Sequence, residues 1–297
     1  MSEGLNFFLQ LATSGVAVGS IYALVAMGFV IIYKATGILN FAQGEMMMMG
    51  AYFCFSLVTA LNMPFLVAFF ITLIFSGLLG VAIHYTILRP MVGEPIFSVV
   101  MVTIGLGILL RSIAGIIWGP ANKSFPSSFS DEPINISGVV LSHIHLWSII
   151  VAVIFLVLFL IFFKFSRMGL AMRATAQEQD YASLMGISVQ KIFALSWAIA
   201  MVVSAVGGVF LAHINLLNLN LNHIGIRAFP AVILGGLDSV AGAILGGVII
   251  GLTESLAGGY LDTIFGGVKE VTAFAILLLI LMIRPYGLFG TEEIERV

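Results

Sequence analysis

Apolar runs long enough to cross a lipid bilayer recur from residue 7 to residue 284, and almost no charge interrupts them. They fall at residues 7–33, 46–61, 64–88, 96–118, 146–165, 192–213, 229–258 and 268–284. A spanning helix needs about 20 apolar residues. A charge buried in hydrocarbon costs about 3 kcal/mol or more. Only 9% of this chain is charged and its mean hydropathy is +1.16, whereas a soluble domain is about a quarter charged. The fold expected is all-α: a polytopic membrane protein with about 8 transmembrane helices (range 8–10), forming one transmembrane domain over residues 1–297.

The same composition excludes several classes. Cys54 is the single cysteine, so no internal disulfide forms. The N-terminus has Glu3 and no basic region, and the apolar run behind it is too long for a signal peptide, so it reads as the first span. Aqueous-facing charge is too sparse for nucleic-acid binding. His143 and His145 lie in the 119–145 loop without further ligands nearby, so no metal site is assigned; they read as polar loop residues near an interface. The chain has no Gly-x4-Gly-Lys-Ser/Thr motif and no Gly-Lys dipeptide, so it does not bind ATP by that route. With no nucleophile–base cluster or cofactor fingerprint, it is not expected to be an enzyme.

Basic residues orient the spans. Lys34, Arg89, Lys164, Arg167, Arg173, Lys191 and Arg284 fall on one side if the N-terminus is outside. The opposite side takes the Ser- and Pro-rich 119–145 loop, expected to be irregular, with Arg227 and Lys269 near it. That places the C-terminus inside and demands an odd number of crossings. Dividing 229–258 at Asp238, into a short first half and a full second half, restores consistency.

Three segments carry functional information. Residues 37–50 place Asn40, Gln43, Gly44 and Glu45 between apolar runs, the second of which is short for a span. Irregular backbone survives at membrane depth only against protein or a water-filled cavity, so this segment is read as partly inserted and lining a pathway, with an ordinary turn as the alternative. Residues 228–251 contain Pro230, expected to break or start a helix, and a break marked by Gly235, Gly236 and Asp238. Beyond it, Gly242, Gly246, Gly247 and Gly251 have the spacing of close helix packing. Paired interruptions in the two halves of a chain point to a transport path between them. The third segment is the polar 165–190 loop. Leu170 to Met185 is expected to form one amphipathic helix, stopped by Gly186, that docks in a partner's groove or lies on the lipid surface.

Within that loop, Asp180-Tyr181-Ala182-x3-Gly186 resembles the coupling signature of ABC-importer permeases, Glu-Ala-Ala-x3-Gly, but departs from it at the first two positions and lacks the residues expected further along. Taken with Gly37 to Glu45, Gly169 to Ile187, Phe229 to Gly251 and the ending Arg284 to Gly290, the chain resembles the branched-chain amino acid ABC-transporter permeases, LivH type, over nearly its whole length. The resemblance implies a subunit of the bacterial inner membrane with the N-terminus periplasmic. It implies a second permease subunit (LivM type), two cytoplasmic ATPase subunits that bind the ATP, a periplasmic substrate-binding protein, and leucine, isoleucine and valine as cargo. No cofactor is implied in this chain itself. Pathway residues would be Asn40, Gln43, Gly44, Glu45, Gly235, Gly236 and Asp238. ATPase-coupling residues would be Arg173, Asp180, Ala182, Gly186 and Ile187. Two alternatives stay open: an ABC permease for urea, short amides or another small polar solute, and an ion-coupled secondary transporter. The latter would use Glu45, Arg111, Asp238 or Glu254, although Arg111 and Glu254 read as interfacial residues near span ends. Delivery by a binding protein would demand little affinity in the pathway, in keeping with a chain that shows no dense set of polar groups inside its spans.

Overall fold

The computed structural model describes residues 3–126, 134–136 and 139–290. Its helices run in the order α1 (Glu3–Thr36), α2 (Gln43–Thr59), α3 (Phe65–Ile83) and α4 (Ile96–Trp118). A short antiparallel hairpin follows, β1 (Ile134–Ile136) and β2 (Val139–Leu141). Then come α5 (His143–Phe165), α6 (Arg167–Gln177), α7 (Gln179–Leu184), α8 (Val189–Ile214), α9 (Asn222–Gly235), α10 (Val240–Phe265) and α11 (Val268–Ile283). Among the described residues, six helices are long and apolar enough to cross a membrane by length and composition: α1, α3 with its π-helical extension, α4, α5, α8 and α10. Of the eight apolar runs, the two shortest, α2 and α11, have 17 and 16 residues.

Long-range contacts sort the helix ends. At one end Lys34 Nζ donates to the Asp238 carbonyl at 3.0 Å. There too the Leu288 and Phe289 amides donate to the Leu234 and Gly235 carbonyls, and Arg173 reaches the Phe163 carbonyl. At the other end the Phe7 and Tyr260 rings meet edge-on at 5.5 Å, and Lys123 pairs with Leu217 through both backbone bonds. The described residues therefore pass from end to end nine times: in α1, residues 37–59, α3, α4, α5, α8, residues 215–235, α10 and α11. An odd number leaves the start of α1 and the end of α11 at opposite ends of the bundle.

The core is the α1–α8–α10 contact, and small residues let it close. A Cβ on Gly251 would strike the Gly19 backbone, one on Gly247 the backbone of Ala23, and one on Gly246 the Ala231 carbonyl. The glycine stripe of α10 thus packs helix on helix, which brings backbones into van der Waals range in place of a hydrophobic drive that lipid cannot supply.

The break expected in the seventh run is present, at residues 236–239, with Gly236 at φ +103. Other expectations change: Pro230 lies inside α9 instead of breaking or starting it. A proline removes one helical donor, so the α9 ladder lacks the bond to the Ile226 carbonyl but the helix continues. The polar loop is two helices, because Glu178 is extended at φ −153, ψ 111. In the 119–145 segment, residues 127–133 and 137–138 lie outside the described residues. The hairpin and the Lys123–Leu217 bridge give order to part of what reads as irregular, and His143 and His145 belong to the first turn of α5.

Candidate functional site

Two helices begin in the middle of the bundle. After α1 the chain turns back inward at Gly37, where φ is +72, and Asn40 and Gln43 are fully buried. Backbone buried at this depth must find partners. Asn40 Oδ1 accepts from the Ala42 amide at 3.1 Å, satisfying one exposed donor of the α2 N-terminus. Asn40 Nδ2 donates to Gln43 Oε1 at 3.0 Å, and Gln43 Nε2 donates to Ser204 Oγ of α8 at 2.6 Å. The Phe41 amide donates to Thr103 Oγ1 of α4 at 3.2 Å.

α9 begins at the same level from the opposite direction. Asn218 caps the preceding turn through the Asn220 amide, and Asn220 accepts from Arg111 of α4 at 3.0 Å. Asn222 Nδ2 then donates to Glu45 Oε1 at 2.8 Å. Gly44 and Gly225 are in backbone contact: a Cβ on either would overlap the other segment. The α2 and α9 N-termini thus meet, with Glu45 between them and with the Gly107 backbone of α4 beside its carboxylate. This ring of Asn40, Gln43, Glu45, Thr103, Ser204 and Asn222 is a dense polar belt inside the spans. The chain read residue by residue shows no such set, because its members come from four separate runs.

The pathway residues expected from the sequence divide into two groups. Asn40, Gln43, Gly44 and Glu45 stand together in the belt. Gly235, Gly236 and Asp238 stand at the far end of α9, about 20 Å away for a helix of this length. There Gly236 packs on Gly290 and a Cβ would meet its amide at 2.5 Å.

At the other end of the bundle lies a cavity of about 930 Å³, bounded by α1, the end of α8, the start of α9 and the start of α11. Arg227, Lys269 and Glu270 supply its charge, and Arg227 pairs with Glu270 at 2.8 Å. Tyr22 forms part of the wall and donates to Glu254 Oε2 at 2.8 Å. Glu254 was expected near a span end. It sits mid-helix in α10 at 1% exposure, because the helix extends to Phe265. Asn220, Leu221, His223 and Arg227 line the cavity, so it runs beside the start of α9, on both sides of Asn222 in the chain.

The coupling candidates are at the opposite end, near Lys34. The Arg173 guanidinium stacks over Phe163, 5.4 Å from the ring centroid, and so pins α6 to α5. Asp180 is exposed in the first turn of α7. Ala182, Gly186 and Ile187 form the helix stop. The Ile187 amide bonds the Ala182 carbonyl and the Gly186 amide bonds the Ser183 carbonyl, with Gly186 at φ +84. This is a Schellman turn, which needs a left-handed residue at that position. It leaves Tyr181, Leu184 and Met185 at 68–83% exposure in a patch beside α8. Tyr22, Thr103, Ser204, Asn222 and Arg227 were not singled out from the sequence. Tyr22, Thr103 and Ser204 are isolated polar residues in apolar runs, Asn222 and Arg227 lie between runs, and each acquires meaning only through a distant partner.

The comparisons agree with this architecture. A family profile described as branched-chain amino acid transport system / permease component matches residues 11–284. The chain is 35% identical to the high-affinity branched-chain amino acid transport system permease protein LivH of Escherichia coli K12, over 100% of both chains. It is 34% identical to the corresponding protein BraD of Pseudomonas aeruginosa, over 98% of both. Among solved structures it is similar in fold to a chain of PsaBC from Streptococcus pneumoniae in complex with Fab, with TM-score 0.52 and 19% identity over 94% of this chain and 92% of that one.

Proposed function

This chain belongs to the branched-chain amino acid transport permease family, and on that premise we propose that it carries leucine, isoleucine and valine across the bacterial inner membrane as one subunit of an ATP-driven importer. The full-length match to the permeases carries this reading. As a multi-pass membrane component of an ABC system it works with partner components. The partners proposed are a second permease subunit of LivM type, two cytoplasmic ATPase subunits and a periplasmic binding protein. The Lys34 end is cytoplasmic in this reading, because it gathers Lys34, Arg89, Lys164, Arg167, Arg173, Lys191 and Arg284. The N-terminus is then periplasmic and the C-terminus cytoplasmic.

The mechanism follows from connectivity. ATP-driven closure of the ATPase subunits displaces α6 and α7, whose apolar patch seats in a groove on their surface. The turn at Gly186 leads directly into α8. Displacement of α8 shifts Ser204 and with it Gln43, and the close contacts of Gly208 with Met47 and of Gly50 with Ala205 carry α2 along. The belt between the α2 and α9 N-termini then opens and the substrate passes.

The test is a mild-detergent pull-down of the tagged chain from its native host, followed by reconstitution and labelled-leucine uptake. Recovery of two ATPase subunits and a second permease, with uptake that requires ATP, is expected. A chain that purifies alone and transports on an ion gradient after ATP depletion overturns the reading. An ATP-dependent complex that carries urea or short amides but not leucine overturns the cargo alone.

A further inference from the structure

The cavity at the end opposite Lys34 has a chemistry that its position does not require. A passive vestibule needs only water-compatible walls. This one mixes the charges of Arg227, Lys269 and Glu270 with the apolar side chains of Val18, Leu211 and Phe274. Its volume of about 930 Å³ is in the range of small-molecule sites. Behind Tyr22 lies Glu254, 1% exposed, with Oε1 lacking any partner and Oε2 held by the Tyr22 hydroxyl. Arg227 lies within electrostatic reach of both Tyr22 and Glu254. A buried carboxylate with an unsatisfied oxygen costs stability, so its presence here asks for a function. Glu254 and Tyr22 form the backing that fixes the electrostatics around Arg227.

Resting on the reading above, the geometry points to a binding site for the free α-amino acid itself in this cavity, with the substrate's α-carboxylate on Arg227, its α-ammonium on Glu270 and its aliphatic side chain against Val18, Leu211 and Phe274. Arg227 meets Glu270 through Nη2 alone, so the second Nη2 hydrogen, together with that of Nε or Nη1, remains for a bidentate carboxylate contact. Opposite charges 2.8 Å apart already present the complement of a zwitterion. The ion pair also explains why the site does not trap its ligand, since the substrate must compete with Arg227–Glu270 for each charge. Asn220 and Leu221 line the cavity too, so a bound amino acid lies alongside the start of α9, next to the residue that makes the Asn222–Glu45 bond. The permease therefore inspects charge and side chain a second time, after release from the binding protein and beside the belt.

The experiment uses the complete complex in nanodiscs and proteoliposomes. Asn215 lines the cavity and is exposed, and Cys54 is buried, so Asn215→Cys gives one reactive thiol there. Millimolar leucine, without binding protein, is expected to slow maleimide labelling of Asn215→Cys at least 3-fold, roughly what occupancy of two thirds produces. Leucinamide, which lacks the carboxylate, is expected to leave labelling unchanged. Arg227→Gln is expected to abolish the protection and to lower leucine uptake per ATP hydrolysed about 10-fold, with Arg227→Lys recovering part of it because the charge remains. Equal labelling with and without leucine in a complex that transports leucine overturns this site while leaving the importer reading intact. So does unchanged uptake per ATP in Arg227→Gln. A wild-type complex that takes up no leucine strikes the importer reading instead. If Arg227→Gln fails to assemble, the protection assay on the Asn215→Cys protein decides by itself.

Discussion

The N-termini of α2 and α9 face each other at mid-bundle, and they are built to different standards. At the α2 start the buried amides are linked to one another and to α8: Asn40 caps Ala42 and binds Gln43, and Gln43 binds Ser204. At α9 the turn is a short 3-10 stretch, Leu219–Leu221, with a cavity on one side, and Asn222 Oδ1 has no partner. A fully satisfied buried network resists motion, and a partly satisfied one has less to lose when it shifts. The α2 start is therefore the fixed jaw of the belt, held rigidly to α8 and carried with it, and the α9 start the moving one in the sense that it yields when the two part. Glu45 and Asn222 span the two with one hydrogen bond, which is the cheapest place to part them.

The largest effect comes from forcing the jaws apart permanently. Gly225→Val places branched carbon against the Gly44 backbone, which cannot yield as a flexible side chain does. Overpacking of this kind costs about 3 kcal/mol, in a fold whose stability is about 5–15 kcal/mol. Loss of folded, monodisperse protein is expected on size-exclusion chromatography. A well-folded Gly225→Val variant would show that the contact is loose and would remove the basis for two meeting jaws.

Next comes the difference between the jaws. Gln43→Ala strands Ser204 and Asn40 and is expected to lower stability by about 2 kcal/mol. Asn222→Ala is expected to cost about 1 kcal/mol less, because one of its polar atoms is already unsatisfied and Glu45 remains partly open to water. Thermal melts of the two variants in one detergent measure this. Equal losses would mean that the jaws are equally rigid.

Much of this architecture is legible in the chain, and the reason is that lipid imposes strong rules. Apolar length marks each span, and the polar insert at Asn40, Gln43 and Glu45 points to the inward return, with an ordinary turn as the alternative that the burial of Asn40 and Gln43 removes. What stays hidden depends on distance along the chain. Gln43 and Ser204 are 161 residues apart, Glu45 and Asn222 are 177 apart, and Tyr22 and Glu254 are 232 apart. No periodicity connects such pairs. Glu254 is misread for a local reason: Gly258, Gly259 and Asp262 look like an exit from the membrane, yet packing of Gly259 on Leu11 carries α10 on to Phe265. The 165–190 segment is misread as one helix because its residues favour helix on propensity alone. Propensity is a weak prior, and Glu178 takes an extended conformation between α6 and α7.

A smaller effect is expected at the coupling end, and it tells which jaw receives the push. Gly186→Ala forces a side chain into φ +84 and should cost about 1 kcal/mol, confined to the α7 stop. Stability of the bundle then changes little, while uptake per ATP falls several-fold. Hydrogen exchange resolves the route: faster exchange in α7 and the first turn of α8, with α9 unaffected, fits a push that travels through α8 to the fixed jaw and moves α9 only by relative displacement. Faster exchange in α9 would reverse the assignment of the two jaws.

The smallest effect expected lies within the moving jaw. Pro230 is buried in α9 and leaves the Ile226 carbonyl without its helical donor. Pro230→Ala restores that donor and removes a clash, so α9 gains up to about 1 kcal/mol of local stability, offset by whatever packing the ring supplied. If the α9 start opens the belt by bending about this point, a straighter helix opens less readily. Uptake should then fall about 2-fold while the melting temperature holds or rises, a combination that mere damage to the core would not give. Unchanged uptake in Pro230→Ala would mean that α9 moves as a rigid rod, hinged at residues 236–239, where Gly236 already has the backbone freedom to turn. Either result locates the hinge. Only the first makes the missing hydrogen bond part of the transport cycle instead of a tolerated defect in a half-length helix.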